Sequence, residues 1–189
     1  MAAVSRLTLL SLLLWTPMAM AQQPVTRPPA GQAAPAQPTF NPADAAAVQT
    51  FIDSSAASCQ TKPAQTCIDA AWQFAATSPK QGLSLQDAQK VRQRFGSWYT
   101  ARQSDLDPRE RSSIGFGLLM ADSLGIPRVH AAFDANRDGR VSQQELLADV
   151  KLDKRPLGDV MKDPKAVDRQ ALARRLGLPP ALLDGMFVQ

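Results

Sequence analysis

Residues 134 to 145 read DANRDGRVSQQE, and everything else is best read outward from them. Side-chain oxygens stand at the first, third and fifth places of this dozen, on Asp134, Asn136 and Asp138. Alternate residues of a tight loop face the same side, so these oxygens can converge on one point. Gly139, sixth, makes a sharp turn without steric cost. Arg140, seventh, offers only its backbone carbonyl. Ser142, ninth, offers a hydroxyl directly or through a water. Glu145, twelfth, falls in the first turn of an expected helix and can present both carboxylate oxygens. Such a set suits a hard cation, above all Ca²⁺, which takes about 6–8 oxygens at about 2.3–2.6 Å. Aspartate is too short to reach as well from the twelfth place. The chain holds fifteen Asp against two Glu, Glu110 and Glu145, so a Glu at this place is chemically informative.

The flanks agree. Pro127 can open a short incoming helix that ends at Phe133, and Leu146, Leu147 and Val150 give the outgoing helix an apolar side. Together these places match D-x-[DN]-x-[DN]-G-x5-E throughout, and the stretch resembles the calcium loop of EF-hand proteins. The resemblance implies Ca²⁺ held by Asp134, Asn136, Asp138, the Arg140 carbonyl, Ser142 and Glu145. It also implies an aromatic just before the loop, met by Phe133, and a short β-bridge from Val141 to a second, paired loop. Two segments could supply that mate, both degenerate and neither expected to bind calcium. Ala76 to Asp87 has Leu83, Ser84 and Asp87 at its eighth, ninth and twelfth places. Val160 to Ala171 has Val167 and Asp168 at its eighth and ninth. The second, downstream segment is the preferred mate. The calcium loop carries three carboxylates against Arg137 and Arg140, a net charge of −1. Two guanidiniums beside the ion, in a calcium-rich medium, point to affinity near the extracellular range of about 10⁻⁴–10⁻³ M.

From Pro42 onward the period is helical, and no stretch alternates apolar and polar residues as a strand does. The fold class is therefore all-α over 42–189. Asn41 caps a first helix beginning at Pro42, with Val48, Phe51 and Ile52 on one face. A second helix runs from about Thr66 to Ala76, with Ile68, Ala71, Trp72 and Ala75 as its stripe. Ser84-x-x-Asp87 opens a third as an acidic capping box. Asp107-Pro108-x-Glu110 opens a fourth that ends near Leu124, with Gly125 closing it.

Residues 1–21 have the three parts of a secretory signal: a cationic start, the apolar run Leu7–Trp15, and Ala19-Met20-Ala21 before the cut. The run is half the roughly 20 residues that a spanning helix needs. Residues 22–41 are rich in Pro, Ala and Gln and read as a disordered linker. The expected address is periplasmic or secreted, with no membrane insertion after cleavage. In an oxidising compartment Cys59 and Cys67 should pair across the loop QTKPAQT and staple a helical hairpin. Such a bridge contributes about 2–3 kcal/mol in the chain-entropy account.

Two cysteines and one histidine exclude a Cys/His zinc site. Lys plus Arg exceed Asp plus Glu by only 4, so no nucleic-acid partner is expected. Residues 169–187 have the spacing of a repressor helix-turn-helix, but the export signal and Pro179-Pro180 oppose DNA binding. A helical hairpin packed on the calcium unit is the expectation there. His130 lacks a second ligand or nucleophile and is assigned no role. No catalytic pattern stands out. The sequence therefore points to an exported calcium-binding protein, not an enzyme, acting as a calcium-stabilised or calcium-responsive module for an unidentified protein partner. A calcium-independent envelope scaffold is the alternative, and an enzyme with ancillary calcium a remote one.

Overall fold

Asn41 does what its place before Pro42 predicts: its side chain accepts the Ala43 N–H and opens α1, Pro42–Thr61. The computed structural model describes residues 39–179. The expected signal at 1–21, nearly all of the linker at 22–41, and the second arm of the hairpin at 169–187 lie outside the described residues. Then come α2 (Ala64–Ala75), a 3₁₀ turn (Pro79–Gln81), β1 (Leu83–Ser84), α3 (Leu85–Arg102) and α4 (Pro108–Leu124). They are followed by α5 (Ile126–Phe133), β2 (Arg140–Val141), α6 (Gln143–Leu146), α7 (Leu157–Lys162) and α8 (Arg169–Leu176). The fold is all-α, with one two-stranded ribbon of two residues a side.

The predicted caps form. Ser84 and Asp87 make a reciprocal capping box on α3, and Asp107 accepts the Arg109 and Glu110 N–H groups on α4. Gly125 closes α4 at φ +81°, a left-handed value that suits glycine.

Two apolar cores hold the helices. In the first, Ala45 and Val48 of α1 meet Trp98 of α3, with Ile52, Phe74, Phe95, Tyr99, Leu106 and Ile114 around them. Phe51 stacks on Phe74 at 4.7 Å between centroids, and Phe74 meets Phe95 edge-on at 6.4 Å. Burying one aliphatic side chain as fully as Val48 contributes roughly 1.5–3 kcal/mol. The second core is smaller: Ala64 of α2, Val160 of α7 and Ala166, with Leu152 and Leu157 packed on it.

Cys59 and Cys67 are bonded, as the sequence predicts. The span between them differs. α1 continues to Thr61 and α2 starts at Ala64, so the connection is Lys62-Pro63 rather than the whole of QTKPAQT. The bond therefore joins the last turns of one helix to the first of the next. The α2 stripe also differs: Ala64, Cys67 and Trp72 are buried, whereas Ala71 faces solvent. The helix starts two residues early, and its first residue, Ala64, packs on Val160 of α7.

Candidate metal centre

α5 brings the chain into residues 134–145 and α6 takes it out. Within the loop the oxygens turn inward onto the backbone. Asp134 accepts the N–H of Asp138 on Oδ1 at 3.1 Å and that of Gly139 on Oδ2 at 2.9 Å. Asn136 Oδ1 accepts the Asp138 N–H at 2.9 Å, and Asp138 Oδ1 accepts the Arg140 N–H at 2.8 Å. Asn136 also donates from Nδ2 to Asp138 Oδ2 at 3.0 Å.

Glu145 closes the ring. Its Oε1 accepts the N–H groups of Ala135 at 3.0 Å and Asn136 at 3.2 Å, ten and nine residues back. Its Oε2 accepts the Ser142 N–H at 2.8 Å and the Ser142 hydroxyl at 2.7 Å. The Ser142 N–H and hydroxyl, then the Asn136 amide, lower the carboxyl to about 2, so it is ionised at any physiological pH. Ser142 in turn caps α6 by accepting the Glu145 N–H.

Two residues adopt left-handed backbone to make this turn: Gly139 at φ +82°, as its place predicts, and Arg137 at φ +60°. Arg137 is the one non-glycine residue with positive φ among the described residues. That conformation costs an L-residue roughly 1–2 kcal/mol. Nothing in the residue type announces it.

The predicted donor residues Asp134, Asn136, Asp138, Arg140, Ser142 and Glu145 lie on one loop, with the Asp134, Asn136 and Asp138 oxygens turned to backbone N–H groups rather than to a common point. The Arg140 side chain turns out of the loop and donates from Nη1 to the Gly82 carbonyl at 3.1 Å. All the donors are oxygen, which fits calcium rather than zinc or copper. In this conformation the carboxylates face backbone N–H groups. Among the described residues, no three His, Cys, Asp or Glu side chains are gathered at metal-binding spacing.

The mate of this loop is the upstream segment, not the downstream one preferred from sequence. Leu83 pairs with Val141 and Ser84 with Arg140, antiparallel. Val167 instead bridges to Val150. The reason is local. The 76–87 segment lies between the long helices α2 and α3, and Gly82 at φ +91° brings its backbone against β2. A Cβ there would sit 2.8 Å from the Val141 carbonyl oxygen. Downstream, only six residues separate α7 from α8, too few for a full loop. Val150 is likewise not on the outgoing helix, which stops at Leu146 after one turn.

His130 is a satisfied core residue. It is buried on α5, and its Nε2 lies 3.0 Å from the Leu83 carbonyl, tying the incoming helix to β1. Its position four residues before Asp134 was the only available signal. No protein-family model, curated protein or solved structure matches the chain.

Proposed function

We infer that this is an exported, non-enzymatic calcium-binding protein of EF-hand type, in which the ion braces an all-α module that engages a protein partner. One observation carries the reading. Glu145 reaches back across its loop to the backbone of residues 135 and 136, and Asp134 and Asn136 turn onto the backbone of residue 138, so the twelfth place closes on the start of the loop. Asp134, Asn136, Asp138, Ser142 and Glu145, with the Arg140 carbonyl, would hold the ion. Calcium there would supply positive charge among three carboxylates and stiffen the loop.

A bracing role is favoured over a sensor that swings open. Sensors rotate a long outgoing helix to uncover a groove. Here α6 is a single turn, and the chain beyond it is pinned at once by the Val150–Val167 bridge and by Lys151 N–H donating to the Ala166 carbonyl at 2.7 Å. Export is supported by the 1–21 signal pattern and by the Cys59–Cys67 bond.

Thermal unfolding in millimolar calcium and in excess chelator tests the reading, followed by circular dichroism and by Trp72 and Trp98 fluorescence. Bracing predicts a higher Tm with calcium and an unchanged far-ultraviolet spectrum. Equal Tm values would contradict it. Partner capture that ignores chelator would favour the scaffold instead.

A further inference from the structure

Three contacts converge on one side chain from α8. The Arg175 guanidinium lies over the Phe133 ring, with Cζ 5.3 Å from its centroid. Its Nη1 donates to the Glu145 carbonyl at 3.2 Å. Its Nε stands 2.9 Å from Asp149 Oδ2, an ionic contact, and both side chains are largely shielded, at 20% and 13% exposure. Phe133 is the last residue of the incoming helix. Glu145 and Asp149 lie on and just beyond the outgoing turn. One planar cation therefore touches both sides of the loop at once, from a helix outside it. Arginine suits this task because a guanidinium can stack and donate in several directions together, which an ammonium cannot.

The position matters because α6 is too short to hold its own angle. Four residues cannot fix a helix axis, yet the direction of the Glu145 side chain depends on that axis. Asp149 is held a second time, its carbonyl accepting the Asp168 N–H at 2.8 Å at the start of α8. The outgoing turn is thereby braced against both ends of α8.

We propose that Arg175 is the positioning residue for Glu145: it clamps the outgoing turn to the incoming helix and so sets the calcium affinity of the 134–145 loop. This rests on the calcium reading above. By reciprocity, calcium steadies α8 as much as α8 favours calcium.

The test compares the full mature chain with Arg175→Ala, Arg175→Lys and Asp149→Asn. Calcium affinity is measured by calorimetry, and α8 amide exchange is measured with calcium and with chelator. Loss of a residue that orients a ligand weakens metal binding by about 10–100-fold, and that is expected for Arg175→Ala. Arg175→Lys recovers part of the loss through Asp149, and Asp149→Asn falls between. Calcium slows α8 exchange in the parent chain and not in Arg175→Ala. A merely structural role would lower the chelated Tm and leave the dissociation constant alone. Unchanged calcium affinity in Arg175→Ala, or in the two milder variants should that chain not fold, overturns the clamp and spares the calcium reading. A parent chain that takes up no calcium overturns both.

Discussion

The two paired loops, 76–87 and 134–145, are built on the same frame and differ in how far the last carboxylate is buried and in how many carboxylates each loop carries. In each, the residue at the second place donates its N–H to the carboxylate at the twelfth: Thr77 to Asp87 at 3.2 Å, Ala135 to Glu145 at 3.0 Å. In each, the serine at the ninth donates both its N–H and its hydroxyl to the other oxygen of that carboxylate. The fourth donor differs: the Thr77 hydroxyl to Asp87 Oδ1 upstream, the Asn136 N–H to Glu145 Oε1 downstream, and Asp87 is buried. Its first, third and fifth places are Ala76, Ser78 and Lys80, which bring no second carboxylate. The downstream loop has alanine where Thr77 stands, leaves Glu145 more open, and adds Asp134 and Asp138. The lesson is that this frame answers its last carboxylate with four donors in both loops, and that only the downstream loop adds two further carboxylates to it.

The largest expected effect on stability comes from removing the buried upstream carboxylate. Burial raises the Asp87 carboxyl, but the Thr77 and Ser84 hydrogen bonds outweigh it and bring the group down to about 2 from 3.8. Truncating it leaves the Thr77 and Ser84 donors unanswered, a loss of roughly 1–3 kcal/mol. Asp87→Ala should cost about that much in urea unfolding, with or without calcium; a loss under about 0.5 kcal/mol would erase the contrast between the loops. The pH dependence has a definite sign. A carboxyl lowered by folding contributes stability above its unfolded pKa, near 4, and loses it as pH falls toward 2. Asp87→Asn should therefore flatten the acid limb of the Tm profile across that window.

Next comes the seam between the loops. Gly82→Ala puts a methyl 2.8 Å from the Val141 carbonyl oxygen on a backbone at φ +91°. About 1–3 kcal/mol of destabilisation is expected. Calcium should then raise Tm by less than in the parent chain, because the bridge that carries the bracing into the bundle is disturbed. Thr77→Val, which keeps the shape and deletes the hydroxyl, should cost about 1 kcal/mol and leave calcium affinity unchanged. The smallest effect belongs to Arg137→Gly. It relieves the left-handed backbone at φ +60° and removes one guanidinium near the ion, so calcium should bind a few-fold more tightly by titration.

The contrast also explains what could be read without coordinates. Helices announced themselves through period and caps: Asn41, Ser84, Asp107 and Gly125 each act as their types predict. In the 134–145 loop the turn at Gly139 and the Glu145 place in the first turn of α6 were legible from residue type and spacing. Its mate was not, because Leu83 and Val167 are equally good bridge residues. Choosing between them depends on Gly82 and on the helix lengths around each, which are three-dimensional facts. Thr77 as a donor to Asp87, His130 against Leu83 and Arg175 across the loop were hidden for the same reason. A lone Thr, His or Arg has no spacing rule, and its partner lies 10 to 47 residues away.

Calorimetric titration of the chain from Gln22 onward with calcium, beside Glu145→Gln, bears most directly on all of this. One ion per chain, bound more weakly than about 1 μM and undetectable in the variant, is the predicted result. Heat and stoichiometry indistinguishable between the two proteins, or no uptake by the parent chain at millimolar calcium, would contradict it.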